Sequence, residues 1–291
     1  MASGGDELVL AVANPAETFE RIRTPLAERG VRARPLDWKG RVVDRADPPW
    51  DAVDVGFVYP GRFVEGGVLD AALDVSWVND REAVATSRNK AGVYAALSRA
   101  GVPTPETAFV SNPTDEQAVG KAFERFDGEA VVKPTSTTRG TGVVRVADPD
   151  SFLGVTDYLD LLHDYRATAD KSYLIQEYLA GARDYRVMVV DGDYAGAVER
   201  RLPDAARERG RWKHNVHRGA EARGVDLDAD LRRLAERAAA VLDIDLLGVD
   251  LLVTDERAVV NETNARPTVD DAEKYEADFY DRLEDLIRRT A

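Results

Sequence analysis

The chain alternates short apolar, β-branched runs with segments of helical periodicity. Leu8–Val12 has the pattern of a buried strand, 16–29 has helical spacing and stops at Gly30, and 31–36 and 52–59 are further extended segments. Strand, helix and strand in that order predict a small open α/β domain ending near Asn79, with loops at Pro48-Pro49 and Pro60-Gly61. A helix is predicted over 83–100, stopped by Gly101 and Pro103, and another over 115–126. Strands are predicted at 108–110, 130–133, 143–146 and 173–176. The runs 185–190 and 194–201 flank Asp191-Gly192, a strong type I′ hairpin signal. A helix over 228–242 and a last one through Phe279, Leu283, Leu286 and Ile287 complete the pattern, which shows no internal repeat.

Between those two helices, Leu246–Val253 and 258–262 flank the polar turn Asp255-Glu256-Arg257. A three-residue turn sets Asp250 directly across from Glu262. Opposed carboxylates repel and destabilise a ladder. A divalent cation between them, with Asn264 as a further oxygen donor, would relieve the repulsion, and hard oxygen ligands suit magnesium or manganese. An ordinary solvated hairpin with scattered acids is the alternative in so acidic a chain.

Composition narrows the classes. The chain has 291 residues, a formal charge of −14 and no cysteine. Disulfides, thiol catalysis and cysteine-type zinc sites are excluded. The charge argues against nucleic acid or an anionic membrane as main partner, and no run reaches the roughly 18 apolar residues of a membrane helix. The acidic N-terminus does not read as a secretory signal, so a cytoplasmic location is expected. Only seven of the 39 basic residues are lysines, an acid-rich, arginine-rich composition that resembles proteins of halophilic archaea.

That scarcity draws attention to the lysines that remain. Lys133 ends an apolar strand, where a bare ammonium is costly unless it meets an anion. The loop after it, 135–142, offers hydroxyls such as Thr138, while Gly140 and Gly142 allow backbone N–H groups to approach a phosphate. Lys90 stands in the first turns of its helix, against the dipole, which a bound phosphate would explain; an exposed lysine is the simpler reading. Glu177 and Tyr178 leave a strand at an edge that could hold a purine. Asp184 and Arg186 share a strand face, and Arg200 and Arg201 end the partner strand; an arginine–carboxylate ladder at the surface reads equally well. Lys213, His214, Asn215 and His217 form a basic patch suited to an anionic substrate. No GxGxxG follows the first strand, which excludes a dinucleotide site there.

Taken in order, these motifs resemble the ATP-grasp superfamily, in particular the RimK-like ligases that attach glutamate or related amino acids through amide bonds. The resemblance spans nearly the whole chain and is clearest after Asn79. It implies an ATP-grasp fold, a mixture of α/β and α+β parts: a small N-terminal open α/β domain (1–80), then two α+β lobes (81–178 and 179–291) clasping ATP. It further implies that Lys90 and Lys133 meet ATP phosphates, with Thr138, Gly140 and Gly142 in the covering flap. Glu177 and Tyr178 would form the adenine hinge, and Asp184, Lys213, His214 and Asn215 would contact nucleotide or metal. Asp250, Glu262 and Asn264 would hold magnesium, and Arg186 or Arg200 would stabilise the transferring phosphoryl group. The chain departs from RimK in a short 179–183 segment and in Arg266, which replaces a small residue where substrate should approach.

The activity so implied is carboxylate activation by ATP, through an acylphosphate, followed by attack of an amine. The partners are a small-molecule or protein carboxylate acceptor and an amino-acid amine, with homo-oligomer formation left open. Two other readings stand beside it. An ATP-grasp kinase, or a ligase of another branch acting on a small metabolite, would differ in product. A non-catalytic nucleotide-binding module would be expected to have lost a metal carboxylate or phosphate lysine, and none is missing.

Overall fold

The structure, a computed structural model, describes residues 7–14, 16–40, 42–44, 51–135, 140–162, 172–214, 216 and 219–291. Thr138, Asn215 and His217 lie outside them. The chain opens with β1 (Leu8–Val12), α1 (Ala16–Ala27), β2 (Val31–Pro35), β3 (Val55–Val58), α2 (Phe63–Leu73) and β4 (Trp77–Asn79). The four strands form one parallel sheet in the order β2-β1-β3-β4. Every residue of β3 is buried, as a parallel strand covered on both faces requires. The strand order reverses between β1 and β3.

The helix predicted over 83–100 is two helices, α3 (Arg81–Arg88) and α4 (Lys90–Arg99). Asn89 separates them, leaving helical geometry (φ −79°, ψ 82°) and capping α4 by accepting a hydrogen bond from the Gly92 N–H at 3.0 Å. Lys90 is therefore the first residue of α4. Both helices pack on α8 (Ala229–Leu242), and α3 also touches β13 (Ala258–Asn264). The segment assigned from sequence to the central lobe thus joins the larger core, which also holds both the N-terminal and C-terminal sheets.

A central antiparallel sheet runs β5-β8-β6-β7, from β5 (Thr107–Ser111), β6 (Ala130–Pro134), β7 (Val144–Val146) and β8 (Ser172–Glu177). Helices α5 (Glu116–Glu124) and α6 (Pro149–Leu162) give it a separate core, where Phe123 stacks on Phe152 with ring centroids 4.5 Å apart. The C-terminal sheet, also antiparallel, runs β11-β10-β9-β12-β13. Its other strands are β9 (Arg183–Val190), β10 (Asp193–Arg201), β11 (Glu221–Val225) and β12 (Leu246–Val253), and α7 (Asp204–Arg207) follows β10. Asp191 and Gly192 both take positive φ, 54° and 83°, as the predicted hairpin turn demands. The closing helix is α9 (Phe279–Thr290).

Asp250 does lie opposite Glu262, but not because of a three-residue turn. The Thr254 N–H bonds to the Arg257 carbonyl at 2.9 Å, so the turn is one residue tighter. A register shift beyond Leu251↔Val260, leaving Asn261 as the extra residue, then restores the pairing.

Candidate active site

A cleft of about 810 Å³ opens between the central and C-terminal sheets, within the size range of small-ligand sites. It gathers Lys90, Lys133, Gly140, Glu177, Tyr178, Asp184, Arg200, Lys213, His214, Asp250 and Glu262 from the sequence-derived set. Gly142, Arg186 and Asn264 are not on its wall. Gly142 shapes the loop instead: its φ is +71°, and a Cβ there would come within 2.9 Å of Pro134.

Lys133 sits on the floor. Strand β6 carries its ammonium inward, where it donates to Gln176 Oε1 and to Asn261 Oδ1 at 2.9 Å. Gln176 is held in turn by its Nε2 donating to Thr107 Oγ1 at 2.9 Å. Among the described residues the hydrogen bonds of Lys133 go only to amide oxygens. Burial, opposed by Glu262 and assisted by Lys90, pushes its pKa down to about 8. Gln176 and Asn261 were not singled out by the sequence reading; the signal available was a polar residue inside each of two apolar strands.

Next to it runs a chain of alternating charges. Arg186 and Asp250 are register partners on β9 and β12, and Asp184 and Arg200 on β9 and β10. Asp250 accepts from Arg186 Nε at Oδ1 (2.7 Å) and from Arg186 Nη2 at Oδ2 (2.8 Å), and Arg200 Nη2 lies 2.9 Å from the same Oδ2. Arg200 Nε also donates to Asp184 Oδ1 at 2.8 Å, and His214 Nδ1 lies 3.6 Å from Asp184 Oδ2. Burial alone would raise the Asp250 carboxyl, but Arg186 and then Arg200 overcome it and hold the pKa at about 2. The arginine–carboxylate ladder therefore exists, yet it is the buried edge of the cleft rather than a surface feature. This also corrects the argument from repulsion: two guanidinium groups neutralise Asp250 without any cation. Both arginines are engaged by these carboxylates, and of the two it is Arg200 that lies on the cleft wall.

Glu262 is more open, 37% exposed, with Lys90 Nζ at 3.6 Å. Asn264 Oδ1 accepts from the Arg266 N–H at 2.9 Å. No three acidic or imidazole groups converge among the described residues. The donor set still fits magnesium or manganese, being all oxygen, and a carboxylate has about four acceptor sites, of which the arginines use three on Asp250.

At the other end, the Glu177 carboxylate accepts from the Glu106 N–H at 2.6 Å and from Arg257, which ties the end of β8 to neighbouring segments. Tyr178 meets Trp212 edge-on at 5.9 Å, and the Arg145 guanidinium covers its ring at 4.0 Å. Lys213 donates to the Val143 carbonyl, linking the basic segment to the loop after β6.

The family model of the RimK-like ATP-grasp domain matches residues 87–283, and the chain belongs to that family. A probable alpha-L-glutamate ligase of Serratia proteamaculans is 32% identical over 242 residues, covering 82% of this chain and 75% of that one. The ribosomal protein bS6--L-glutamate ligase of Escherichia coli O139:H28 is 32% identical over 200 residues, covering 68% and 62%. Among solved structures, a RimK domain protein ATP-grasp from Sphaerobacter thermophilus superposes with a TM-score of 0.69 at 19% identity, covering 96% of this chain and 99% of that one. D-alanyl-alanine synthetase A from Vibrio cholerae gives 0.73 at 15% identity, covering 99% of each. The structural likenesses establish the fold, and the family makes the chain an ATP-dependent ligase of the carboxylate–amine type.

Proposed function

We propose that the protein joins an amino-acid amine, glutamate being the first to test, to a carboxylate on a small molecule or a protein. The observation that carries this reading is Lys133: a buried ammonium facing the cleft, whose hydrogen bonds among the described residues go to the amide oxygens of Gln176 and Asn261. Such a cation awaits an anion, and the phosphates of ATP supply one. Lys90 and Lys213 add positive charge along the same wall, and Arg200 reaches it from the ladder. Magnesium or manganese, held by Asp250 and Glu262 with Asn264 beside them, would supply charge neutralisation on the phosphates.

In this account the cleft orients a substrate carboxylate toward the γ-phosphoryl group. A carboxylate oxygen bonds to phosphorus, the bond to the ADP oxygen breaks, and an acylphosphate forms. The amine then attacks the acyl carbon, phosphate departs with the bonding electrons, and the amine loses a proton. Positioning and charge stabilisation suffice, without a covalent enzyme nucleophile.

The acidic, lysine-poor composition supports a salt-adapted cytoplasmic protein. An ADP-release screen of amino acids paired with carboxylate acceptors, followed by mass spectrometry, tests the function. The expected result is sustained ADP release only when acid and amine are both present, with a product one water lighter than their sum. A stable phosphorylated product formed from one substrate would make the protein a kinase.

A further inference from the structure

Arg266 stands two positions beyond Asn264, yet its guanidinium leaves the C-terminal sheet. It donates to the main-chain carbonyls of Ala13, at 3.0 Å, and Tyr59. These residues follow the ends of β1 and β3, the two strands between which the parallel sheet reverses its order. In open α/β sheets the crevice beyond the carboxyl ends of strands at such a reversal is where ligands bind. Arg88, the last residue of α3, reaches the same point. A Cβ placed on Gly61 would lie 3.2 Å from Arg88 Nη2 and 3.3 Å from Arg266 Nε, so both guanidinium groups converge on that glycine.

Neither arginine has an acidic partner among the described residues. The hydrogen bonds of Arg266 go to carbonyls, and Arg88 lies over the Phe63 ring at 4.7 Å. In a chain with 53 acidic residues against 39 basic ones, two half-buried arginines side by side without a carboxylate are an unmet electrostatic demand. At the same strand end, Asn14 Oδ1 is buried with no hydrogen-bond partner among the described residues, while its Nδ2 donates to the Pro267 carbonyl at 3.3 Å. The two arginine-bearing segments are also stapled together, since Ser87 Oγ accepts from the Ala265 N–H at 3.0 Å. Lys90 and Glu262, both on the cleft wall, belong to these same segments.

We propose that Arg88 and Arg266 form a station for a substrate carboxylate that is neither activated nor attacked, with Gly61 leaving the space it occupies. The station rests on the ligase reading of the adjoining cleft. Its occupant is the carboxylate of the amine-bearing amino acid or a second carboxylate on the acid that is activated. Arg266 has a double role, pinning the strand ends of the N-terminal sheet and presenting its Nε edge.

Isothermal calorimetry tests this, with L-glutamate and glutarate as probes, each titrated with and without magnesium and a non-hydrolysable ATP analogue. Wild-type protein is expected to bind at least one probe at millimolar concentration. Arg88→Gln should weaken that binding by about tenfold or more, the loss expected for a charge-assisted contact, with analogue affinity and melting temperature unchanged. Arg266→Lys, which keeps the charge but loses the fork, should weaken the same probe. Preference for L-glutamate over glutarate would identify the amine-bearing amino acid as the occupant, and the reverse would identify the acid. Failure of wild type to bind either probe, or Arg88→Gln binding as wild type does, would overturn the station. Loss of analogue binding by the wild type would count against the ligase reading alone, because the titrations without nucleotide still decide the station.

Discussion

Arg186 grips Asp250 at two points, Nε to Oδ1 at 2.7 Å and Nη2 to Oδ2 at 2.8 Å, from a directly opposed position on the neighbouring strand. Sheet register sets this contact, so the geometry is stiff. Replacing Asp250 by Asn would leave the Arg186 and Arg200 guanidinium groups adjacent with the carboxylate between them gone. The expected loss is about 3–5 kcal/mol of stability, read as a lower urea midpoint at unchanged slope. The same pair fixes a pH dependence. The Asp250 pKa is held at about 2, below the ordinary aspartate value. Its contribution is therefore present above about pH 4 and lost only as pH falls through about 2. An unchanged midpoint in the mutant would show that the ladder does not support the fold.

Glu262 should behave differently. It is 37% exposed and has Lys90 at 3.6 Å, a surface-type contact of small energy. Glu262→Gln is expected to change the melting temperature of the metal-free protein little while abolishing ATP turnover with magnesium. A mutant that melts lower yet turns over ATP normally would make Glu262 scaffolding.

Lys133 predicts a pH dependence for the nucleotide. Its free-protein pKa is about 8, and phosphate binding favours the charged form. ATP affinity should therefore fall as pH rises above about 8, with proton uptake on binding, detectable by calorimetry in buffers of different ionisation enthalpy. In the free protein the sign is opposite: a buried lysine with a depressed pKa disfavours the fold while charged, so its penalty fades as pH rises past about 8. Lys133→Ala should weaken ATP by about 1.5–3 kcal/mol, ten- to over a hundredfold, and remove the proton uptake. Equal affinity in mutant and wild type would mean that the phosphates lie elsewhere.

A net charge of −14 implies self-repulsion in dilute buffer, which salt screens within about 10 Å at 0.1 M. The melting temperature is expected to rise between low salt and molar KCl. A flat or falling profile would contradict the salt-adapted reading.

Much of this was legible in the sequence because it is local. The Asp191-Gly192 turn, the strand carrying Lys133 and the helix over 229–242 are written in neighbouring residues. What could not be read depends on distance or on weak local signals. Strand β4 has only three residues, and α2 carries two glycines in an apolar stretch without a clear polar face. The break at Asn89 is a single capping residue inside a continuous helical pattern. The neutralisation of Asp250 by Arg186, 64 residues away, and the meeting of Arg88 with Arg266 arise only from sheet register and packing.

In the proposed reaction a substrate carboxylate attacks the γ-phosphoryl group of ATP. The most direct measurement uses the acid identified by the ADP-release screen, labelled with oxygen-18 in its carboxylate, and mass spectrometry of the released phosphate. An acylphosphate route transfers one carboxylate oxygen to phosphate, so the phosphate should carry one labelled oxygen for each amide formed. Unlabelled phosphate accompanying amide formation would contradict the account, because the carboxylate would then never have been joined to phosphorus.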